Sequence, residues 1–124
     1  MPIISFVPSV LLVPEKTLQH ATDADMRKII YDNDYVLAKF VDESCTTCRA
    51  LAPHIQTLAN DARFEHVLFV VVDANQTPVT AKEVAFTKAP FIVAYRKGSV
   101  KHCETVKTSA RVEEILVEFL AEEA

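Results

Sequence analysis

Two thiols three residues apart, Cys45 and Cys48 in the stretch FVDESCTTCRALAP (residues 40–53), are the side chains here best suited to chemistry. Three readings fit that spelling: two small buried hydrophobes, a soft-ligand clip for a metal, or a dithiol that opens and closes as a disulfide. A zinc or iron–sulfur site would need two further soft ligands. Cys103, His54, His66 and His102 are available, but no second knuckle repeats the pair's spacing. The pattern therefore predicts no metal site within the chain. Cys103, beside Lys101 and His102, reads as an exposed strand residue rather than a third reactive thiol.

The elements around the pair decide what it can do. YVLAKFV (residues 35–41) is rich in β-formers and reads as a strand. After the thiols, Leu51, Ile55, Leu58 and Ala59 recur at helical spacing, which predicts an amphipathic helix from Cys48 to about Ala62. Cys45 then stands at a strand-to-helix junction, facing the unpaired N–H groups and positive dipole end of the helix. That field favours thiolate over thiol by about 0.3–2 kcal/mol. Residues i and i+3 of a first helical turn share a face, so a disulfide closes there with little strain. Cys45 would attack a partner disulfide, and Cys48, deeper in the helix, would attack the mixed disulfide and release the partner.

Other segments supply the frame. A short strand is expected over residues 17–21. Thr22 or Asp23 would cap a helix to about Asn33, with Met26, Ile29 and Ile30 facing inward. VLFVVV (67–72) is an unbroken apolar run, the mark of a strand covered on both faces. Pro78 suits the first turn of a helix reaching Phe86. FIVAY (91–95) is another strand, and Lys97-Gly98 a turn into a strand over 100–106. Ser109 would cap a last helix buried through Val112, Ile115, Leu116, Phe119 and Leu120. The order β-α-β-α-β-α-β-β-α predicts an α/β three-layer sandwich, its mixed, mainly parallel central sheet covered by helices on both faces.

Bulk properties narrow the function classes. With 124 residues, half of them apolar and a quarter charged, the chain reads as one globular domain over 17–124 preceded by an extension, residues 1–16. A net charge of −4 and the lack of a basic stripe argue against nucleic acid. A single glycine, Gly98, excludes glycine-rich phosphate loops. Three cysteines are too few for a secreted disulfide framework, so a reducing compartment, the cytoplasm by default, is expected. The apolar start MPIISFVPSVLLVP has no basic n-region and falls short of the roughly 20 residues that span a bilayer. It predicts a strand or packed tail and no membrane span, with a targeting role as the alternative.

Strand, C-x-x-C and helix in this order resemble the thioredoxin-like family, and two prolines strengthen the likeness. Pro53 lies eight residues after Cys45, where thioredoxins carry a helix-kinking proline; Pro90, in KAPFIVAYRKG, matches the proline they hold in cis opposite the thiols. The resemblance covers about residues 17–120. It implies a protein-disulfide oxidoreductase with Cys45 and Cys48 as its redox pair and no organic cofactor or metal. Its partners would be protein disulfide substrates and a redox protein or small thiol. Ala89 would pair through its backbone with an extended substrate segment, and Pro90 would lie against the thiols.

Four positions depart from the family pattern. Ser44 replaces a tryptophan, and Thr46-Thr47 replaces Gly-Pro between the cysteines, placing two hydroxyls near a thiolate. Lys39 stands where thioredoxins bury an aspartate that helps the resolving thiol lose its proton. A lysine within YVLAKFV must reach a partner, reach water, or lose its own proton. Val106 replaces a groove-lining glycine and would narrow access to the thiols. The alternative function is accordingly a redox-poor adaptor or chaperone-like binding module on the same fold.

Overall fold

The computed structural model describes residues 18–121. Its elements are β1 (Gln19–Ala21), α1 (Asp23–Asp32), β2 (Tyr35–Val41), α2 (Thr46–Ala59), a 3-10 turn (Ala62–Phe64) and β3 (Leu68–Asp73), followed by α3 (Pro78–Glu83), β4 (Phe91–Arg96), β5 (Ser99–Thr105) and α4 (Ser109–Ala121). The expectations for residues 1–16 fall outside the described residues.

The strands form one sheet in the order β1-β3-β2-β4-β5. β1 and β2 run parallel to β3, while β4 is antiparallel to β2 and β5 antiparallel to β4. The sheet is mixed, but its antiparallel share exceeds the closing hairpin expected from the alternation of strands and helices. The cause is the length of α3. Six residues of helix rise only about 9 Å, whereas a six-residue strand spans roughly 20 Å. α3 therefore does not carry the chain back to the starting edge, and β4 enters from the end where β3 finished.

Period-two alternation along β2 divides the core. Val36, Ala38 and Phe40 pack with Met26 and Ile29 of α1, with Val84, and with Phe91, Val93 and Tyr95 of β4. Leu37 points the other way, into a cluster with Ile92, with Leu51, Ile55 and Leu58 of α2, and with Val112, Ile115 and Phe119 of α4. Helices thus cover both faces, giving a thioredoxin-like three-layer α/β sandwich. Phe40 sits at its centre, 6.0 Å from the Phe86 ring and 6.2 Å from that of Phe91.

Element ends follow local chemistry. Thr22 and Asp25 form a reciprocal capping box at the start of α1. The Asp23 carboxylate accepts from Thr80 Oγ1 at 2.6 Å and from the Thr80 and Val79 N–H groups, tying α1 to the open end of α3. Those bonds, Thr80's hydroxyl foremost, hold Asp23 below its ordinary carboxylate range. α3 stops at Glu83 rather than Phe86: Ala85 adopts φ +54°, and the Phe86 N–H reaches back to Ala81 O at 2.9 Å. α4 is capped by Thr108, not Ser109; the Arg111 N–H donates to Thr108 Oγ1 at 3.2 Å. In the β4–β5 turn Lys97 and Gly98 take φ +48° and +85°, so the only glycine of the chain sits where a Cβ would be strained. Among the described residues no helix is long and apolar enough to cross a membrane.

Candidate active site

β2 delivers the chain to the thiols through a tight turn. Asp42 Oδ1 accepts from the Ser44 N–H at 3.0 Å and from Ser44 Oγ at 2.8 Å, and Asp42 O accepts from the Cys45 N–H at 3.1 Å. This bends the backbone so that Cys45 becomes the N-cap of α2, which begins two residues earlier than its apolar periodicity indicated. Cys45 Sγ accepts from the Cys48 N–H at 3.0 Å, taking the place a capping oxygen holds elsewhere. Asp42 is the site residue the sequence reading missed. An Asp two residues before a Ser, just ahead of a helix, was the available signal.

Cys45 and Cys48 are joined by a disulfide, their Cα atoms 5.3 Å apart. The two cysteines are unequal in access: Cys48 is 5 % exposed, whereas Cys45 is half-buried. No acidic residue occupies the first turn of α2. Pro53 lies within α2, as expected. Thr46 and Thr47 are exposed, and neither hydroxyl is hydrogen-bonded among the described residues.

The second wall comes from the start of β4. The β2–β4 register pairs Phe40 with Phe91, so Pro90 arrives opposite Val41, where β2 gives way to the Cys45 turn. The Ala89–Pro90 peptide bond is cis. Both residues are buried, and the Val106 N–H donates to Pro90 O at 2.9 Å. Thr105 Oγ1 donates to Lys88 O at 2.8 Å. Ala89 itself makes no backbone hydrogen bond among the described residues.

One expectation changes and one open alternative closes. Val106 does not narrow a groove: it is 1 % exposed and packs into the core with Leu51 and Val112. Its N–H is tied to Pro90, which fixes the backbone so that the side chain turns inward. Lys39 does not reach solvent along its stem; the residue is 4 % exposed. It shares the face of Leu37, under α2, and has no hydrogen bond or ion pair among the described residues. Burial therefore pushes its ammonium below the ordinary lysine value.

The remaining candidates stay apart from the pair. Cys103 is exposed on β5, in register with Val93. His54 and His66 are exposed, and His102 is held by Glu104 at 2.7 Å, which also binds Arg111. Among the described residues no cluster of three His, Cys, Asp or Glu side chains is arranged to hold a metal.

A model of the thioredoxin family matches residues 17–122. The chain belongs to the thioredoxin family. It is similar to the mitochondrial thioredoxin-3 of Saccharomyces cerevisiae, 29% identical over 76 residues, which are 61% of this chain and 58% of that protein. The match thus spans less than two thirds of the yeast protein's length. It is 28% identical over 90 residues to the H-type thioredoxin of Chlamydomonas reinhardtii, covering 73% of this chain and 76% of that one. Among solved structures, Fasciola hepatica thioredoxin superposes with a TM-score of 0.74 at 25% identity, over 82% of this chain and 98% of that one. The family and the bonded cysteine pair together support thiol–disulfide oxidoreductase chemistry in general.

Proposed function

We propose that this thioredoxin-family protein exchanges disulfides with protein substrates through Cys45 and Cys48. The observation that carries the reading is a disulfide at the N-cap of α2 whose first cysteine is the more accessible. In the reduced protein, the Cys45 thiolate attacks one sulfur of a substrate disulfide. A Cys45–substrate bond forms, and the other substrate sulfur leaves as thiolate and takes up a proton. Cys48 then attacks Cys45 Sγ, restoring the Cys45–Cys48 disulfide and releasing the second substrate thiolate. Two electrons pass from the dithiol to the substrate, so no further cofactor is required. A redox protein or small thiol resets the pair.

The neighbouring residues take supporting roles. The unpaired N–H and C=O of Ala89 dock an extended substrate segment beside Pro90, and the Thr46 and Thr47 hydroxyls are available to a thiolate. Lys39, two residues beyond Leu37 on the face that α2 covers, modulates Cys48 from beneath. Its amine favours the Cys48 thiolate, by attraction when charged or by accepting the thiol proton when neutral. The relatives include a mitochondrial protein and an H-type protein; on cysteine usage we place this one in a reducing compartment, the cytoplasm first.

The adaptor reading loses one support, because the Val106 side chain lies in the core, 1 % exposed. Reduction of a protein disulfide by the wild type and by Cys45→Ser tests the proposal. A wild type no faster than the variant overturns it.

A further inference from the structure

The segments that meet at Pro90 are unevenly charged. Segments 86–92 and 105–110 carry Lys88 and Lys107 and no acidic residue, in a chain whose net charge is −4. The Thr105–Lys88 and Val106–Pro90 hydrogen bonds hold these segments side by side. Ala89, Pro90 and Val106 are buried, while both lysines are exposed. Neither lysine has an ion-pair partner among the described residues. Arg63 and Arg111, by contrast, are each neutralised by two or more carboxylates. In the turn that leads from β2 to Cys45 the sign reverses: it carries Asp42 and Glu43, with Asp42 already accepting two bonds from Ser44.

We infer that Lys88 and Lys107 form a clamp selecting substrates that carry carboxylates beside the reacting half-cystine. The inference rests on the oxidoreductase reading above and adds a substrate class to it. A segment that pairs with the backbone of Ala89 must cross these segments, so the residues flanking its sulfur pass the two amines. An acidic flank meets unneutralised cations there, and a basic flank meets repulsion from the same two amines. Exposed charge pairs are individually weak and screened by salt, so the effect belongs mainly to encounter rate and partner choice.

The test uses the full chain, pre-reduced, in single turnover against two peptide disulfides that differ only in bearing glutamate or lysine on both sides of the reacting cysteine. Each turnover oxidises one Cys45–Cys48 dithiol and reduces one peptide disulfide. The wild type is expected to reduce the glutamate peptide about three- to thirtyfold faster at low salt. The ratio should shrink toward one near roughly 0.5 M salt. Lys88→Glu with Lys107→Glu should invert the order, and Lys88→Gln with Lys107→Gln should bring the two rates together. Equal wild-type rates, or a preference that survives charge reversal, overturn the clamp alone. Failure to reduce either peptide overturns the clamp together with the reading beneath it.

Discussion

Mixed with an excess of a disulfide-bearing protein, Cys48→Ser is expected to accumulate as a covalent adduct through Cys45, and Cys45→Ser to form none. The wild type should carry no lasting adduct, because Cys48 resolves it. The expectation follows from the unequal access of the two cysteines. A bulky partner reaches the half-buried Cys45, not Cys48 at 5 % exposure one turn deeper. Without the Cys48 sulfur the mixed disulfide has no neighbouring nucleophile, since Cys103 lies away on β5. Turnover should fall by at least about a thousandfold in either variant, as when the members of a chemical unit are removed singly. Non-reducing gels and intact mass measure the adduct; an equal yield from Cys45→Ser, or none from Cys48→Ser, contradicts the assignment.

The second large effect concerns Lys39. Its residue is 4 % exposed and its amine has no partner among the described residues, so the folded state disfavours the ammonium. The folded value lies below the ordinary 10.5, and between the two the unfolded chain binds more protons than the folded one. Stability therefore rises with pH across that window, and the penalty is complete below the folded value. Lys39→Met keeps the length of the side chain and removes the penalty. At pH 7 it should gain about 1–2 kcal/mol, a Tm higher by roughly 3–10 °C. The gap should close as pH climbs toward 10.5, where the lysine of the unfolded chain also loses its proton. The same variant should slow release of the mixed disulfide, separating a role toward Cys48 from mere burial. Thermal unfolding of the oxidised proteins between pH 7 and pH 10 measures the first effect; a variant no more stable than the wild type at pH 7 contradicts it.

Much of the fold was legible because local preference and burial agree. YVLAKFV gives β2 at both its ends, since β-branched and aromatic residues meet a site covered on either side. The stripe Leu51, Ile55, Leu58 and Ala59 gives the buried face of α2 residue by residue. What failed needed information from elsewhere in the chain. The direction of β4 depends on how far six residues of α3 can carry the backbone, which periodicity does not report. The inward turn of Val106 depends on its bond to Pro90, sixteen positions earlier. Lys39 reads as a possible surface lysine until α2 is laid over the Leu37 face.

The site divides in the same way. Cys45, Cys48, Ala89 and Pro90 were proposed from spacing and from likeness to the family, and the fold brings the proline to the strand end that feeds the cysteine pair. The Asp42–Ser44 turn was not found, because its hydrogen bonds matter only once Cys45 is known to cap α2. The pairing of the two lysine-bearing segments was likewise invisible, since Lys88 and Lys107 lie nineteen positions apart and their segments are joined only by the bonds of Thr105 to Lys88 and Val106 to Pro90.

The account depends most on Cys45 being held as thiolate by the first turn of α2. The direct measurement is the pH dependence of alkylation of Cys45 in the reduced Cys48→Ser, Cys103→Ser protein, where it is the only thiol. The prediction is a half-point clearly below the free-thiol value of about 8.5. A half-point at or above that value would contradict it.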